Sequence, residues 1–443
     1  MSTPTPYERS EASSGMPPRP SHGHGRHVWR FFQFLTPLFL RRLKLLVLIF
    51  AVATPLAELG GIFFRECVIW ANELREWFPW LMAFLPLAGL EIVLLYRQNR
   101  VGLRDEIGVL IPSFETSNTA HPSTVPRRMA ITVFIASVLT HLCGGSSGSE
   151  GASLLIGGGI GTRLAQHFHL HREEYRLLVF CAMASAFAPL LGTPIAAAFF
   201  VLERCPGGKL SFFIPCLLAS FCSFGLALLM NVQPMRFALR PMEFEPTLIG
   251  NVLVLAVLCF MVGWLFRFLL HWVIVQSDTR FPNAGVPIFL GALVMVLLVC
   301  FLDTQSCCGT GISGIVSALH GNSAGAAFLW KLILTVITLG VGFKGGQIIP
   351  AFFIGSTFAV LVGPWIGLEP DFAAALGLIF VFASVAQCHV TAILISQEIF
   401  FHADPLFFLF GVVICVVLGR AEKQLKRLMS QRQLQRQDTQ PQG

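Results

Sequence analysis

Long apolar stretches, separated by short polar or glycine-rich segments, run along most of this chain. Several of them, such as Leu43–Ile62, Leu210–Met230 and Leu248–Val275, match or exceed the ~20 residues that a helix needs to cross a bilayer. The two-residue alternation of apolar and polar positions that is typical of barrel strands is absent from the sequence. The pattern therefore predicts an all-α, polytopic membrane protein.

Other apolar segments are too short, or too often interrupted, for a straight span. Leu177–Leu202 contains Pro189 and Pro194, where we expect breaks, and Thr357–Gly367 is shorter than a span requires. Irregular or broken helices at membrane depth are tolerated where they line a cavity or are buried in protein. Broken and tilted helices of this kind favour a channel or transporter over a simple helix bundle.

Charge is scarce and sits mainly near the two ends of the apolar region. The chain has 443 residues, 54% hydrophobic and 12% charged, with a net charge of +7. Basic residues flank the first and last spans, at Arg26, Arg30, Arg41, Arg42 and Lys44 and at Arg420, Lys423, Lys426, Arg427, Arg432 and Arg436. The positive-inside rule predicts a multi-pass protein of the inner (plasma) membrane with both termini in the cytoplasm. This topology explains the basic clusters without a nucleic-acid partner.

Three regions are expected along the chain. Residues 1–30, rich in Pro, Ser, Gly and His, are predicted to be a disordered cytoplasmic tail. Residues 31–420 are predicted to form the transmembrane domain, and residues 421–443 a basic cytoplasmic tail. The twelve cysteines are scattered through apolar segments and indicate small buried side chains. No disulfide framework, metal site or cofactor is expected from their spacing.

The segment His141–Arg163 combines a glycine-serine run with one acid, Glu150, and has apolar sequence on both sides. A carboxylate in such surroundings is a functional candidate by default. A glycine-rich turn that opens a helix directs unpaired N–H groups and the positive dipole end at one point, which suits an anion. We predict that Gly148–Leu155 is a helix N-terminus that binds a small anion, with Glu150 as a tethered competitor for the same place.

The chemistry of such a site follows from the cost of burying an ion. A bare anion at the bilayer centre has lost its hydration, at an idealised cost of about 20 kcal/mol. Backbone dipoles and hydroxyls replace that hydration with partial charges, so the ion enters and still leaves, whereas fixed lysines would trap it. The serines of the run, Ser146, Ser147 and Ser149, either supply O–H donors to the anion or only cap the helix.

Other interpretations of this segment stay open on sequence grounds. The glycines fit close helix packing, with the acid paired structurally. The run Gly144–Gly148 also matches the G-x-S-x-G pattern of a serine hydrolase, with His141 nearby, although no strand is predicted before it. A cation-coupled transporter would need several membrane acids, and those that qualify are Glu91, Glu150, Glu203 and Glu398.

The two halves of the chain carry identical residues at matching positions, which indicates an internal repeat. A shift of 198 positions superimposes Thr140, Gly144, Gly148, Ile156 and Gly157 on Thr338, Gly342, Gly346, Ile354 and Gly355. A shift of 195 superimposes Ala188, Ala197 and Glu203 on Ala383, Ala392 and Glu398. Paired interruptions at corresponding places in two halves predict a binding site at the interface of two repeats.

Three motifs carry a resemblance to a known family. Gly148-Ser149-Glu150-Gly151 resembles the G-R-E-G element of the CLC chloride channel and transporter family, and Gly345–Pro350 resembles that family's second glycine-proline element. Gly192–Ala196, followed by Glu203, is similar to its proline-led helix. The likeness covers roughly residues 40–420. The motifs are similar in sequence to those of the bacterial fluoride-exporting subgroup.

The resemblance implies a homodimer in which each subunit has its own anion pathway between two inverted repeats, about 40–231 and 247–420. It implies a chloride channel or transporter that is not an enzyme, gated by Glu150. The anion-binding residues that it implies are Gly148, Ser149, Gly151, Gly345, Gly346, Gln347, Ile348, Phe352, Phe353, Leu406 and Phe407. Leu406 or Phe407 would replace the family's pore tyrosine.

Because the sequence departs from the family pattern at several positions, the identity of the transported anion and its coupling to protons stay open. Ser149 stands where the family has Arg, and Gln347 and Ile349 stand where the fluoride subgroup has Glu and Thr. Arg204 replaces a second acid that many proton-coupled exchangers carry. A proton-coupled fluoride exporter is therefore the alternative to a chloride pathway, with protons as a further partner, and coupling through the uncharged Gln347 is expected to be weak or absent.

Overall fold

The computed structural model describes residues 42–99, 102–103, 128–205, 209–238, 245–302, 304–322, 325–401 and 404–438. The tail predicted for residues 1–30 lies outside the described residues. The chain divides into two units, residues 1–47 and 48–443. The first unit is helical over its described residues 42–47.

The described part of the second unit is almost entirely helical. Its α-helices in chain order are α1 (Thr54–Trp77), α2 (Leu85–Gln98), α3 (Met129–Leu142), α4 (Glu150–His167), α5 (Arg172–Leu191), α6 (Pro194–Arg204), α7 (Phe213–Leu229), α8 (Leu248–Arg280), α9 (Gly285–Leu302), α10 (Ile312–Leu319), α11 (Ala327–Val341), α12 (Ile348–Val362), α13 (Pro370–Ala386), α14 (His389–Ile399) and α15 (Pro405–Asp438). A two-residue parallel pair, β1 (Phe237–Ala238) with β2 (Phe400–Phe401), joins the two halves. Helix α15 continues past residue 420, where the sequence suggested a tail.

Eight helices within the described residues are long and apolar enough to cross a membrane. Three further apolar helices, α3, α11 and α13, are shorter, at 10–17 residues. The predicted all-α membrane architecture with broken helices is confirmed. Helices α5 and α13 are buried along most of their length, so the core of the described fold contains complete helices rather than helix faces.

Helix α5 ends at Leu191 and α6 begins at Pro194, so the break predicted at Pro194 is present, whereas the break predicted at Pro189 is wrong. Gly192 adopts a φ of +73°, and a Cβ there would overlap Pro234. Pro189 lies inside α5 because the carbonyl left without its N–H partner, that of Ser185, accepts a hydrogen bond of 2.6 Å from the Ser223 hydroxyl instead. A side chain on α7 therefore keeps α5 helical through its proline.

The internal repeat is visible in where the helices begin. Met129 and Ala327 start α3 and α11, and Glu150 and Ile348 start α4 and α12, in both cases 198 positions apart. Arg172 and Pro370 start α5 and α13 at the same separation. The segments before α4 and α12 meet in an antiparallel bridge between Gly148 and Gly346, which are equivalent positions. Equivalent residues that pair antiparallel are related by a local two-fold axis, so the two halves meet symmetrically at this point.

Candidate functional site

Helices α4 and α12 both start at the meeting point of the two halves. Ser149 is the residue before α4 and Gln347 the residue before α12, and neither side chain makes a capping hydrogen bond. The predicted helix start within Gly148–Leu155 is confirmed, because α4 begins at Glu150. Two helix N-termini without a side-chain cap of their own therefore face the same small region, which favours negative charge there.

The glycines beside this point bring the two chain segments into direct contact. The Gly148 N–H donates to the Gly346 carbonyl at 2.8 Å, and the Gly346 N–H donates back to the Gly148 carbonyl at 2.6 Å. In this conformation their amides bind each other rather than an anion. A Cβ on either glycine would overlap the Glu150 carboxylate, so only glycine leaves space for it.

The carboxylate of Glu150 occupies the N-terminus of α12. Its side chain is fully buried, and Oε1 accepts a hydrogen bond of 2.8 Å from the Ile349 N–H. Its other oxygen, Oε2, has no hydrogen-bond partner among the described residues. The acid of one repeat therefore sits on the helix dipole of the other, through a single backbone hydrogen bond.

The serine run is anchored to the second half of the chain. The Ser146 N–H donates to Thr338 Oγ1 at 3.1 Å, and Ser146 Oγ donates to the Cys307 carbonyl at 3.0 Å. The nearby ring of His141 contacts the Ser147 carbonyl at 3.1 Å. The Ser146 hydroxyl, which would be the nucleophile of a G-x-S-x-G hydrolase, is thus directed away from His141 to a backbone carbonyl.

Two cavities lie on either side of Glu150. Cavity 1, of about 350 Å³, is lined by Gly151 and Ile348, among others. Cavity 2, of about 450 Å³, is lined by Ser149 and Ile349, among others. Neighbours in sequence thus line opposite cavities, and the buried carboxylate of Glu150 lies in the wall between them.

The two cavities differ in charge. Among the described residues that line cavity 1 are Arg204 and Lys344, and none of these described lining residues is acidic. Cavity 2 has a mixed lining of both signs, comprising Arg65, Glu73, Arg75, Glu76 and Arg236. The described charges that an anion in cavity 1 meets are therefore positive, whereas cavity 2 presents paired charges such as Arg75 and Glu76, 3.5 Å apart.

The structure brings together some of the predicted anion-binding residues and not others. Gly151, Gly345, Gly346, Gln347 and Ile348 line cavity 1, and Ser149 lines cavity 2. Gly148 lines neither cavity, and neither do the four larger predicted residues, Phe352, Phe353, Leu406 and Phe407.

Packing or exposure accounts for the absence of three of those side chains from the cavities. The Phe352 ring packs against Phe382, with centroids 5.3 Å apart, and the Phe407 ring packs against Phe372 at the same distance. Leu406 is 40% exposed. Their roles in binding an anion stay predictions.

Three charged residues that are at most 2% exposed, besides Glu150, were missed from the sequence. Lys331 and Lys344 are both buried in the second half, and Lys344 Nζ lies 4.8 Å from the centroid of the Tyr96 ring. Glu58 in α1 is fully buried, and neither of its carboxylate oxygens has a hydrogen-bond partner among the described residues. Lys331 and Glu58 are charged residues within apolar helices, which is the signal that identified Glu150.

Known proteins resemble this chain in fold and, at 25–30% identity, in sequence. A family model described as voltage gated chloride channel matches residues 88–420. A chloride/fluoride channel protein of Pseudomonas syringae pv. tomato is 29% identical over 341 residues, which cover 74% of each chain. The H(+)/Cl(-) exchange transporter ClcA of Vibrio cholerae is 25% identical over 88% of this chain and 90% of its own.

A solved structure extends the likeness to three dimensions. The crystal structure of a CLC-type fluoride/proton antiporter superimposes with a TM-score of 0.78 at 30% sequence identity, over 84% of this chain and 94% of its own. The family match spans most of the chain and includes both elements that meet at Glu150. The chain therefore belongs to the voltage-gated chloride channel family.

Proposed function

We propose that this protein moves a small anion, chloride in the first instance, across a membrane along a path between cavities 1 and 2, gated by Glu150. The observation that carries the proposal is the buried Glu150 carboxylate, held by the Ile349 N–H in the wall between the two cavities. A carboxylate and a halide carry the same charge, so each excludes the other from the N-terminus of α12.

Opening requires the carboxylate to leave that helix end. A proton taken up on Oε2 neutralises the charge that favours the helix dipole, and a permeant anion competes for the same N–H groups. The single hydrogen bond from Ile349 contributes about 1.5–3 kcal/mol, as is typical of a charged acceptor. An interaction of this size holds the gate closed and still lets thermal motion or a competing ion release it.

The short separation of the cavities keeps the desolvation cost manageable. Full burial of a unit charge costs about 20 kcal/mol in the idealised limit, far more than a few amide hydrogen bonds return. Water-sized space reaches the wall from both sides, at Gly151 and Ser149, which are separated in sequence by Glu150 alone. An anion would then be stripped of water only while it passes the two helix ends.

Fluoride is the alternative permeant ion. The relatives at 29% and 30% identity are described as a chloride/fluoride channel protein and a fluoride/proton antiporter. Against fluoride, and against proton coupling, stand the uncharged Gln347 and Ile349 at positions where the subgroup carries Glu and Thr. Basic residues at both ends of the apolar region support an inner-membrane location with cytoplasmic termini, and the family resemblance supports a homodimer.

Ion efflux from proteoliposomes tests the proposal. Purified protein is reconstituted into vesicles loaded with potassium chloride or potassium fluoride, and anion and potassium release are followed with ion-selective electrodes. We expect chloride release only when a potassium ionophore balances the charge, and no potassium release without the ionophore. Folded protein that releases neither anion, or that releases potassium unaided, contradicts the proposal.

A further inference from the structure

A fully buried lysine, Lys331, lies on α11 within the second half of the chain. Its Nζ donates to the Cys307 carbonyl at 3.0 Å and to the Gly309 carbonyl at 2.8 Å. The ammonium also lies 5.4 Å from the centroid of the Phe353 ring, a distance at which the ring face attracts a cation. Its hydrogen bonds within the described residues therefore go to neutral oxygens, and its positive charge stays uncompensated by them.

The carbonyls that hold this ammonium belong to the segment that supports the gate. The Gly309 carbonyl also accepts the Ser147 N–H at 3.3 Å, and the Gly309 N–H donates to the Gly145 carbonyl at 3.2 Å. Ser146 Oγ shares the Cys307 carbonyl with Lys331. Lys331 is thus connected through two carbonyl groups to the loop that leads directly into Glu150.

The same segment forms part of the wall of cavity 2. Cys308, Thr310 and Gly311 line that cavity, and a Cβ added to Gly311 would lie 3.0 Å from Lys331 Nζ. Lys331 itself is not among the lining residues. The ammonium is therefore seated directly behind the wall, separated from the cavity by backbone.

The charges that interact with the Lys331 ammonium come from several elements. The charged groups that act on it are Glu150 on α4 and Arg75 on α1. Glu150 attracts the ammonium, whereas Arg75 repels it. Because a buried charge is expensive unless something of opposite sign lies near it, the Glu150 carboxylate is the natural counter-charge in the closed state.

We propose that Lys331 is an affinity-determining residue for the transported anion, acting through its charge from behind the wall of cavity 2. The inference rests on the function proposed above. When Glu150 leaves, the ammonium keeps the region positive, and the anion takes over as its counter-charge. Since Lys331 binds carbonyl oxygens and not the ion, it raises the local anion concentration without trapping an ion by direct contact.

Two substitutions distinguish the effect of the Lys331 charge from the effect of its side-chain packing. Lys331→Arg keeps the positive charge, and Lys331→Gln removes it while retaining N–H donors for the carbonyls of Cys307 and Gly309. Lys209→Gln, on an exposed lysine that pairs with Glu173, is the matched control. For each folded variant, anion efflux is measured as a function of anion concentration, which gives a half-saturating concentration and a maximal rate.

We expect Lys331→Gln to raise the half-saturating concentration about tenfold, the effect of one nearby charge at intermediate dielectric. Lys331→Arg and Lys209→Gln should stay close to the wild type. The same rise should occur when Lys331→Gln is combined with Glu150→Gln, since the charge acts on the ion and not only on the gate.

A Lys331→Gln variant with a lower maximal rate and an unchanged half-saturating concentration would show a structural role and overturn the inference. If Lys331→Gln does not fold, the half-saturating anion concentration of Lys331→Arg tests the inference instead. A half-saturating concentration several-fold above the wild-type value, despite the retained charge, overturns the inference too. Absence of anion efflux from the wild type would instead refute the proposed function, so the two failures are distinguishable.

Discussion

In helices α6 and α14, a carboxylate of each helix accepts hydrogen bonds from the N-terminus of the other. Between α4 and α12 this capping is not reciprocal. Glu398, near the end of α14, accepts the N–H groups of Ile195 and Ala196 at 2.8 and 2.7 Å. Glu203, near the end of α6, accepts those of Val390 and Thr391 at 3.1 and 2.9 Å. These donors and acceptors are equivalent positions, 195 residues apart, so both helix N-termini are occupied symmetrically.

At the gate the same exchange occurs in one direction only. Glu150 occupies the N-terminus of α12 through one hydrogen bond, but its equivalent in the second half, 198 positions on, is the apolar Ile348. The N-terminus of α4 therefore receives no carboxylate from the equivalent position of the second half, and its Gly151 lines cavity 1.

The difference shows how one motif serves two purposes. A helix N-terminus attracts negative charge wherever it is buried, and a protein that needs a rigid joint fills it permanently with a carboxylate held by several donors. A protein that needs an ion site leaves one end unfilled and fills the other with a carboxylate held weakly enough to move. The symmetric pair is the rigid reference against which the gate is measured.

The largest expected effect is the loss of stability when the symmetric pair is broken. Glu398→Ala leaves two partly buried N–H groups without an acceptor and should lower the free energy of unfolding by about 2–3 kcal/mol. Glu203→Ala should cost only about 1 kcal/mol although it loses one more donor, the Thr391 hydroxyl, because Glu203 is exposed and water replaces it.

Thermal unfolding in detergent, with Glu245→Ala as an exposed control, measures this order. Equal losses for the two variants, or a larger loss for Glu203→Ala, would contradict the argument from exposure.

The next effect is on the gate, from a substitution that displaces the Glu150 carboxylate from the N-terminus of α12 while the residue itself stays glutamate. A Cβ at Gly346 overlaps the flexible end of Glu150, so Gly346→Ala should push the side chain out of the α12 terminus. Anion efflux at alkaline pH should then rise about tenfold, equivalent to about 1.4 kcal/mol of lost gate stability. Gly250→Ala, where a Cβ meets nothing within 4 Å, is the control.

The double variant Gly346→Ala with Glu150→Gln should release anion no faster than Glu150→Gln alone. An additive increase would show that the glycine acts on the pathway independently of Glu150.

The smallest effect concerns protons. Gln347 precedes α12 and lines cavity 1, and it cannot exchange a proton. We expect no proton movement above that of empty vesicles when a chloride gradient is applied to the wild type, and a small but measurable movement in Gln347→Glu. Uphill chloride uptake driven by a proton gradient in the wild-type protein would show that coupling runs through another group, with Glu58 as the first candidate.

The sequence predicted what depends on local chemistry. The glycine-serine run and its single acid predicted the start of α4, and the glycines at equivalent positions predicted that two helix ends converge. Both follow from backbone geometry, because few residue types other than glycine allow such close contact of two chains and a carboxylate.

The features that the sequence did not predict depend on partners far away in the chain. Pro189 stays helical because of a hydroxyl on another helix, and the reciprocal caps require knowing that α6 and α14 lie side by side. Lys331 is recognisable as a charge within an apolar helix, but nothing in that helix shows that carbonyls of the Cys307–Gly309 segment will receive its ammonium. The placement of Leu406 and Phe407 likewise depends on the rotation of α15, which its first part, apolar on all sides over Pro405–Leu418, does not encode.

The most direct test of the account is anion efflux as a function of pH for the wild type, Glu150→Gln and Glu398→Gln. The wild-type and Glu398→Gln proteins should release anion faster as the pH falls, because protonation of Glu150 frees the N-terminus of α12. Glu150→Gln should release anion at least as fast as the wild type at every pH, with no pH dependence. A folded Glu150→Gln protein that transports nothing, or that keeps the wild-type pH dependence, would contradict the account.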